Sequence, residues 1–261
     1  MKFIQKFGQN SSYLFFIFFI FFILLSNKEY FLDNNIILTK QQLINILIDN
    51  TDNYYQRFNF MDLKVRNVSS IDEYKKKIVN SPIDINNYEQ KIIIKSIKQI
   101  NHIFENYTYD NFFIGKKANN IPWSIGIVDG TIYEEGYPHT RGNVIVIPKF
   151  LIYQKNLTKT LIHEKIHIYQ KYYEDDLLLY INNNFKKAIS SSRISNNRAN
   201  PDIDVHLYTD KNNHLMYCTY IENPKSIMDV VYYPVNNPSN EHPFELMAYN
   251  IETDISTKFN L

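Results

Sequence analysis

The residues best suited to chemistry lie in the segment His163–His167, which reads His-Glu-Lys-Ile-His. On an α-helix, positions i and i+4 lie on one face, one turn apart, so both imidazoles can bind a single metal ion. A glutamate directly after the first histidine lies beside the open side of that ion, where it can accept a proton from a bound water. The spacing therefore predicts Zn²⁺ on His163 and His167, with Glu164 as the base of a hydrolytic reaction.

The residues around this motif predict that it lies on a helix. Thr158 or Thr160 can cap the helix start, and neither proline nor glycine occurs between Lys159 and Asp176. Apolar side chains follow at helical intervals, namely Leu161, Ile162, Ile166, Tyr169 and Tyr173. Short motifs also arise by chance, so an ordinary amphipathic helix with two histidines on its polar face is the alternative.

A catalytic zinc normally takes three protein ligands, so one ligand has to come from elsewhere in the chain. Glu174 is a poor candidate, because it lies about 10 Å beyond His167 along the same helix. Glu245 is our candidate, since it lies in a second predicted helix that begins at Pro243. The alternatives that stay open are Glu241, His242, His206 and His214.

The segment Thr160–Tyr169 resembles the extended signature of the zincin metallopeptidases. Lys165 departs from that signature, which prefers an uncharged residue at its position. The metzincin branch is excluded, because Gln170 and Tyr173 stand where that branch has glycine and histidine.

The segment from Glu245 to Ala248 resembles the Glu-x-x-Ala segment of the gluzincins, a zincin branch in which a second helix donates its glutamate to zinc. The two resemblances together cover roughly residues 123–255. They imply a zincin-like α+β catalytic domain, Zn²⁺ held by His163, His167 and Glu245, and a peptide or protein substrate.

Two β-branched runs upstream of the motif, Trp123–Val128 and Val144–Ile147, predict strands. Pro148 ends the second run, and a proline is best tolerated on an edge strand. In zincins an edge strand beside the active-site helix pairs with extended substrate. The resemblance therefore implies that substrate binds here through main-chain hydrogen bonds.

Three further side chains are candidates for contacting substrate or stabilising an oxyanion. His139 and Arg141 lie in the turn-rich segment between the two predicted strands, and Tyr249 lies one turn beyond Glu245. A polar surface loop explains the first two equally well. Core packing explains the tyrosine, since the chain has 21 tyrosines.

The chain divides by pattern into an N-terminal segment 1–27, a helical region 28–120 and the zincin-like domain 121–261. In the helical region, Thr39 and Gln42 form a capping box, and a helix from about Tyr88 to Phe104 has an apolar face. The cluster of acidic and aromatic residues from Asp52 to Arg66 fits packing with an ion pair, and we assign it no chemistry.

The N-terminus predicts a targeting segment. Tyr13–Leu25 is unbroken aromatic and aliphatic sequence after Lys2 and Lys6, and the uncharged stretch from Phe7 to Asn27 is long enough to cross a bilayer. This pattern predicts a single-pass membrane protein with an uncleaved signal anchor and its catalytic part lumenal or extracellular. A cleaved, secreted protein is the alternative.

Composition narrows the remaining possibilities. A net charge of +1 without a basic stripe argues against nucleic-acid binding. Asn67, Asn106 and Asn156 are sequons that predict a glycoprotein in that compartment, and Cys218 is alone, so no internal disulfide can form. The surplus of Asn, Ile, Lys, Tyr and Phe resembles proteins from AT-rich genomes, including those of large DNA viruses and some protists.

Two other functions fit the same sequence. The first is a zinc hydrolase that acts on a non-peptide amide or ester. The second is a catalytically inactive membrane or virion-surface protein in which the motif helix is purely structural. Zinc content separates the second from an enzyme, because a structural helix needs no metal.

Overall fold

The computed structural model describes residues 36–190 and 194–261, and residues Leu38–Leu261 form one compact unit. Helices and small sheets alternate along this unit, which confirms the α+β class. Its helices are α1 Lys40–Ile48, α2 Phe60–Val65, α3 Ile71–Ile78, α4 Asn87–Phe104, α5 Gly115–Asn119, α6 Leu157–Tyr172, α7 Glu174–Asn184 and α8 Pro243–Phe259. Its strands are β1 Thr108–Tyr109, β2 Phe113–Ile114, β3 Ile125–Val128, β4 His139–Arg141, β5 Val144–Pro148, β6 Lys186–Ser190, β7 His206–Thr209, β8 Leu215–Tyr220 and β9 Val230–Tyr233.

The N-terminal helices begin where their capping residues require. The predicted capping box of Thr39 and Gln42 starts α1, and Asn86 with Glu89 forms a second box at the start of α4. Both boxes satisfy amide groups that a helix start leaves without intrahelical partners. The predicted apolar face of α4 is buried, including Ile93, Ile97, Ile100 and Phe104.

The motif helix α6 packs against a three-stranded mixed sheet with the strand order β3-β5-β4. Strands β3 and β5 are parallel and fully buried, as continuous apolar runs predict, and β4 is antiparallel to β5. The expected edge position of Val144–Ile147 is wrong, because this run is the central strand. The edge strands are β3 and His139–Arg141, and the sequence placed the latter in a turn-rich segment.

The outer edge of β3 is covered by the N-terminal part of the unit. The amide of Leu38 donates to the carbonyl of Ile125 at 2.9 Å, and the amide of Ile83 donates to that of Ile127 at 3.0 Å. One apolar cluster also joins α1 to this sheet, with Leu43 and Leu47 among its members. The division at residue 120 stays a prediction.

A four-stranded antiparallel sheet with the order β6-β7-β8-β9 lies between α7 and α8 in the chain. Between β6 and β7, the segment Arg198–Asp204 runs back to the N-terminal helices. The side chain of Arg57 donates to the carbonyl of Ile203 at 2.6 Å, and the amide of Ala199 donates to Asp62 at 3.1 Å. These contacts fix the segment beside the start of α8.

The prediction of a single-pass membrane protein is contradicted. No helix in residues 36–190 and 194–261 is both long enough and apolar enough to cross a bilayer. The segment Tyr13–Leu25, which suggested the anchor, lies outside the described residues. The secreted alternative stays a prediction.

Candidate metal centre

Two helices bring together the three residues that we call the metal triad, His163, His167 and Glu245. Helix α6 presents both histidines toward α8, and Glu245 lies in the first turn of α8. That turn is fixed by its cap, because His242 accepts a hydrogen bond from the amide of Phe244 at 3.2 Å. The sequence-predicted ligands therefore meet at one point.

The triad has the dimensions of a tetrahedral zinc site. The two Nε2 atoms are 3.1 Å apart, and Glu245 Oε2 lies 3.4 Å from His163 Nε2 and 3.6 Å from His167 Nε2. Two ligands of a regular tetrahedron with bonds of about 2.05 Å are separated by about 3.3 Å. One ion at bonding distance from all three atoms therefore fits this arrangement, with a fourth position left for water.

Gln170 fixes the orientation of His167. Its side-chain amide nitrogen donates to the carbonyl of Phe244 at 2.9 Å, so its oxygen faces His167 Nδ1 at 3.0 Å and accepts the proton there. With Nδ1 protonated, Nε2 carries the lone pair that a metal needs. The same side chain also ties α6 to the start of α8.

Asn200 orients the third member of the triad. Its side-chain nitrogen donates to Glu245 Oε1 at 2.9 Å and to Glu241 Oε2 at 3.2 Å. Because Oε1 is engaged by Asn200, Oε2 is the oxygen that faces the histidines. His163 has a longer carboxylate neighbour, with Glu252 Oε2 3.9 Å from its Nδ1.

The charges around the triad favour a cation. Burial lowers the pKa of His167, but the carboxylates of Glu245 and Asp202 outweigh it and raise that pKa to about 10. Burial also raises the pKa of Glu164 well above its ordinary value, with Asp202 and Glu245 adding to the shift. Glu164 Oε2 is buried and has no hydrogen-bond partner among the described residues. Three carboxyl groups thus lie around two imidazoles, an arrangement that favours a divalent cation.

The triad opens onto a cavity of about 400 Å³, a size typical of small-molecule sites. Its wall includes Glu164, Asn200 and Asp202 beside the triad and Ile227 and Met228 on an apolar side. A substrate in this cavity would lie next to both the proposed metal position and the unpartnered oxygen of Glu164.

The three substrate-contact candidates have different positions. His139 and Tyr249 line the cavity, and the ring of Tyr249 packs edge-on against that of His163 at 4.6 Å. Arg141 is not among the residues that line the cavity. Its guanidinium is buried and bonded to Asp52, Tyr55 and Tyr133.

The other candidate ligands have other partners. Glu241 pairs with Arg198, and His242 Nε2 lies 3.1 Å from Asp204. His206 and His214 pair with Asp204 and Asp210 respectively, away from the triad. Among the described residues, His163, His167 and Glu245 form the group whose ligand atoms converge as a metal requires.

The charged residue of the motif has a structural explanation. Lys165 points away from the triad and is buried, with its ammonium 2.7 Å from the carbonyl of Ile121 and over the ring of Trp123. Burial lowers the pKa of Lys165 to about 7. Lys165, the residue that departs from the zincin signature, therefore lies on the helix face opposite to the metal triad.

Sequence reasoning missed Gln170, Asn200 and Asp202. Gln170 carries a usable signal, because it lies one turn after His167 on the same face of the helix. Asn200 and Asp202 carry no such signal. They lie about 40 residues from the triad along the chain and reach it only because of how their segment folds.

Comparisons of the chain with protein-family models, with curated proteins and with solved structures give no match. The function is therefore argued from the geometry of the site. Three observations support a function: the three ligand atoms converge, neighbouring side chains orient them, and a buried carboxylate lies beside them.

Proposed function

We propose that this protein is a zinc-dependent hydrolase, and specifically a metallopeptidase of the zincin type. The observation that carries the proposal is the triangle of ligand atoms on His163, His167 and Glu245, with sides of 3.1, 3.4 and 3.6 Å. Two nitrogens and one carboxylate oxygen with an open fourth position are typical of catalytic zinc. A structural zinc site would be closed by a fourth protein ligand.

The chain's own residues divide the work of hydrolysis. When bound, zinc would lower the pKa of a water toward neutrality and polarise the substrate carbonyl. A bound divalent cation would favour the ionised form of Glu164, whose pKa burial raises, and the carboxylate would then accept a proton from the attacking water and return it to the leaving amine. Gln170 and Asn200 keep the ligand atoms aimed at one point, so no reorganisation is needed during the reaction.

The burial of Glu164 helps it in this role. Its side chain is buried, and its Oε2 makes no competing hydrogen bond among the described residues. A carboxylate held without a partner beside an open coordination position is positioned to move a proton. An amphipathic helix with surface histidines would have no reason to bury this group.

Glu164→Gln tests the proposal, because glutamine keeps the shape of the side chain but cannot accept the proton. We expect about one zinc per chain in both proteins, and a loss of peptide hydrolysis on the order of 10²–10⁴-fold in the variant. Glu174→Gln, at an exposed position on α7, is the matched control and should keep full activity. Metal analysis and cleavage of a mixed peptide library are the measurements.

The outcomes separate the competing functions. Full hydrolysis by the glutamine variant would refute the role of Glu164. Zinc binding with cleavage of esters or simple amides, but of no peptide, would move the protein to another class of zinc hydrolase. A wild-type chain that takes up no zinc would leave the structural-protein alternative.

A further inference from the structure

The sheet beside the motif helix offers little for a peptide to pair with. A substrate that adds to a sheet as an extra strand needs outward-facing main-chain amides and carbonyls on an edge strand. The sheet has two edges, β3 and β4. Each edge can be followed group by group.

The outward-facing amides of β4 are already used or missing. Thr140 pairs with Ile145, whose amide donates to the carbonyl of Ser124 on the β3 side, so Thr140 directs its own amide away from the sheet. That amide donates to Asp202 at 2.8 Å, and Thr140 is fully buried. The next outward position toward the cavity is Pro138, which has no amide proton.

Further groups along these edges are bonded within the chain. Lys171 donates to the carbonyl of Gly142 at 3.1 Å and to the hydroxyl of Thr140. On β3, the carbonyls of Ile125 and Ile127 accept from the chain's own N-terminal residues, as described above. Strand addition to this sheet would have to break these bonds first.

Another part of the cavity wall carries polar atoms that still need partners. Arg198 Nε, Tyr232 Oη and Glu241 Oε1 are buried in that wall, and each has no hydrogen-bond partner among the described residues. A buried polar atom without a partner is unfavourable, so a ligand that bonds these atoms is stabilised. Arg198 and Glu241 also neutralise each other as an ion pair. The wall therefore suits an uncharged group that has both a donor and an acceptor, as a peptide amide has.

We propose that the substrate is a short peptide held inside the cavity by side chains of this wall, and not an extended polypeptide added to the sheet as a strand. The proposal rests on the proposed function and names the substrate class for the same site. Asp202 is the residue that excludes strand addition, because it occupies the outward amide of Thr140. The cavity of about 400 Å³ has room for a drug-sized ligand and no long groove is required.

A series of peptide hydroxamates tests this on the zinc-loaded full chain, because hydroxamates bind zinc and need no turnover. Calorimetry would compare a short member of about three residues with a long member of about eight residues that shares its zinc-binding end. We expect the affinity to differ by less than about threefold, since the outer residues find no main-chain partners. The inference would be overturned if the long member bound more than about tenfold more tightly and N-methylation of its outer amides abolished that gain in affinity. The proposed function would stand in that case.

Asp202→Ala gives a second reading, because it releases the outward amide of Thr140. The ratio of long-member to short-member affinity should then rise several-fold, whatever Asp202→Ala does to zinc binding itself, whereas Asp72→Ala at an exposed position should leave that ratio unchanged. An equal effect on both lengths would contradict the assigned role of Asp202. The wild-type series decides the proposal if this variant does not fold. A wild type without zinc would instead refute the proposed function itself.

Discussion

Two buried clusters of ionisable side chains each contribute residues to the wall of the same cavity, and they differ in how their polar atoms are bonded. The first, which we call the guanidinium network, consists of Arg66 with Glu134 and Arg141 with Asp52. Every side-chain nitrogen of both arginines donates a hydrogen bond to an oxygen atom. Besides the two carboxylates, the acceptors include oxygens of Tyr54, Tyr55, Tyr133 and Asp49. The second cluster is the metal triad with Glu164. There, three ligand atoms crowd together and a carboxylate oxygen lacks a partner.

The difference distinguishes a structural cluster from a candidate for chemistry. Burying a charge is tolerated when an opposite charge and hydrogen bonds compensate it, and the guanidinium network meets that condition internally. The metal triad meets it only through a proton on His167, whose pKa is raised to about 10, because the three ligand atoms converge at 3.1–3.6 Å. Something positive between them removes the conflict. The network should therefore stabilise the fold, and the triad should bind a cation.

The largest expected effect is the loss of zinc from His163→Ala. Two ligands remain, and we expect zinc content to fall from about one per chain to nearly none. The metal-free fold should keep its free energy of unfolding within about 1 kcal/mol, because the change removes a crowded imidazole that is partly exposed. Metal analysis and urea unfolding in a chelator are the measurements.

His214→Ala is the control for this prediction. That histidine is exposed and pairs with Asp210, so zinc content should not change. If the His163→Ala protein kept its zinc, the triad would not be the metal site, and the proposed difference between the two clusters would be wrong. A large loss of stability in the chelator would assign His163 a structural role like that of the network.

Glu134→Gln is the corresponding change in the guanidinium network. Glu134 accepts two hydrogen bonds from Arg66 and one from Tyr74, and the variant leaves the buried guanidinium with only the longer ionic contact to Asp62, at 3.5 Å. We expect the free energy of unfolding to fall by about 3–5 kcal/mol while the zinc affinity of the folded protein changes less than about threefold. Glu222→Gln, at an exposed position, should leave both unchanged. A zinc site weakened as much as the fold would show that the two clusters act as one unit.

The same ion pair predicts a pH dependence. Burial raises the pKa of Glu134, but the charge of Arg66 and its hydrogen bonds outweigh it and hold that pKa at about 2, below the ordinary 4.5. Because the folded pKa is the lower one, the contribution is fully present above pH 4.5 and is lost as the pH falls toward 2. Its size is on the order of 3 kcal/mol.

Unfolding of the wild type and Glu134→Gln over a pH series in a chelator measures this contribution. Other carboxylates titrate in both proteins, so the difference between the two isolates Glu134. The stability gap should narrow steadily below pH 4.5. If the difference in the free energy of unfolding stayed constant down to pH 3, the ionised carboxylate of Glu134 would not be the group that stabilises the fold through Arg66.

The contrast between the clusters also explains what the sequence could predict. The motif on α6 and the start of α8 follow from local rules, because helical spacing and Pro243 act within a few residues. The predicted cap of α6 by Thr158 or Thr160 is wrong, because the helix begins at Leu157 and both threonines lie inside it. The position of β4 does not, since it is a three-residue polar strand whose pairing depends on β5. The network is even less accessible to prediction, because Arg66 and Glu134 are 68 residues apart in the chain. Asn200 reaches Glu245 across 45 residues for the same reason.

The smallest effect is expected from Gln170→Ala, which leaves both the triad and the network intact. Without the acceptor at Nδ1, His167 loses the contact that fixes its protonation and ring orientation, and zinc affinity should fall by about 10–100-fold. Gln154→Ala, an exposed glutamine just before α6, should leave zinc affinity unchanged. Competition with a chelator of known affinity measures the change in each protein. Unchanged zinc affinity in Gln170→Ala, with a loss of stability instead, would mean that Gln170 only joins α6 to α8 through the carbonyl of Phe244.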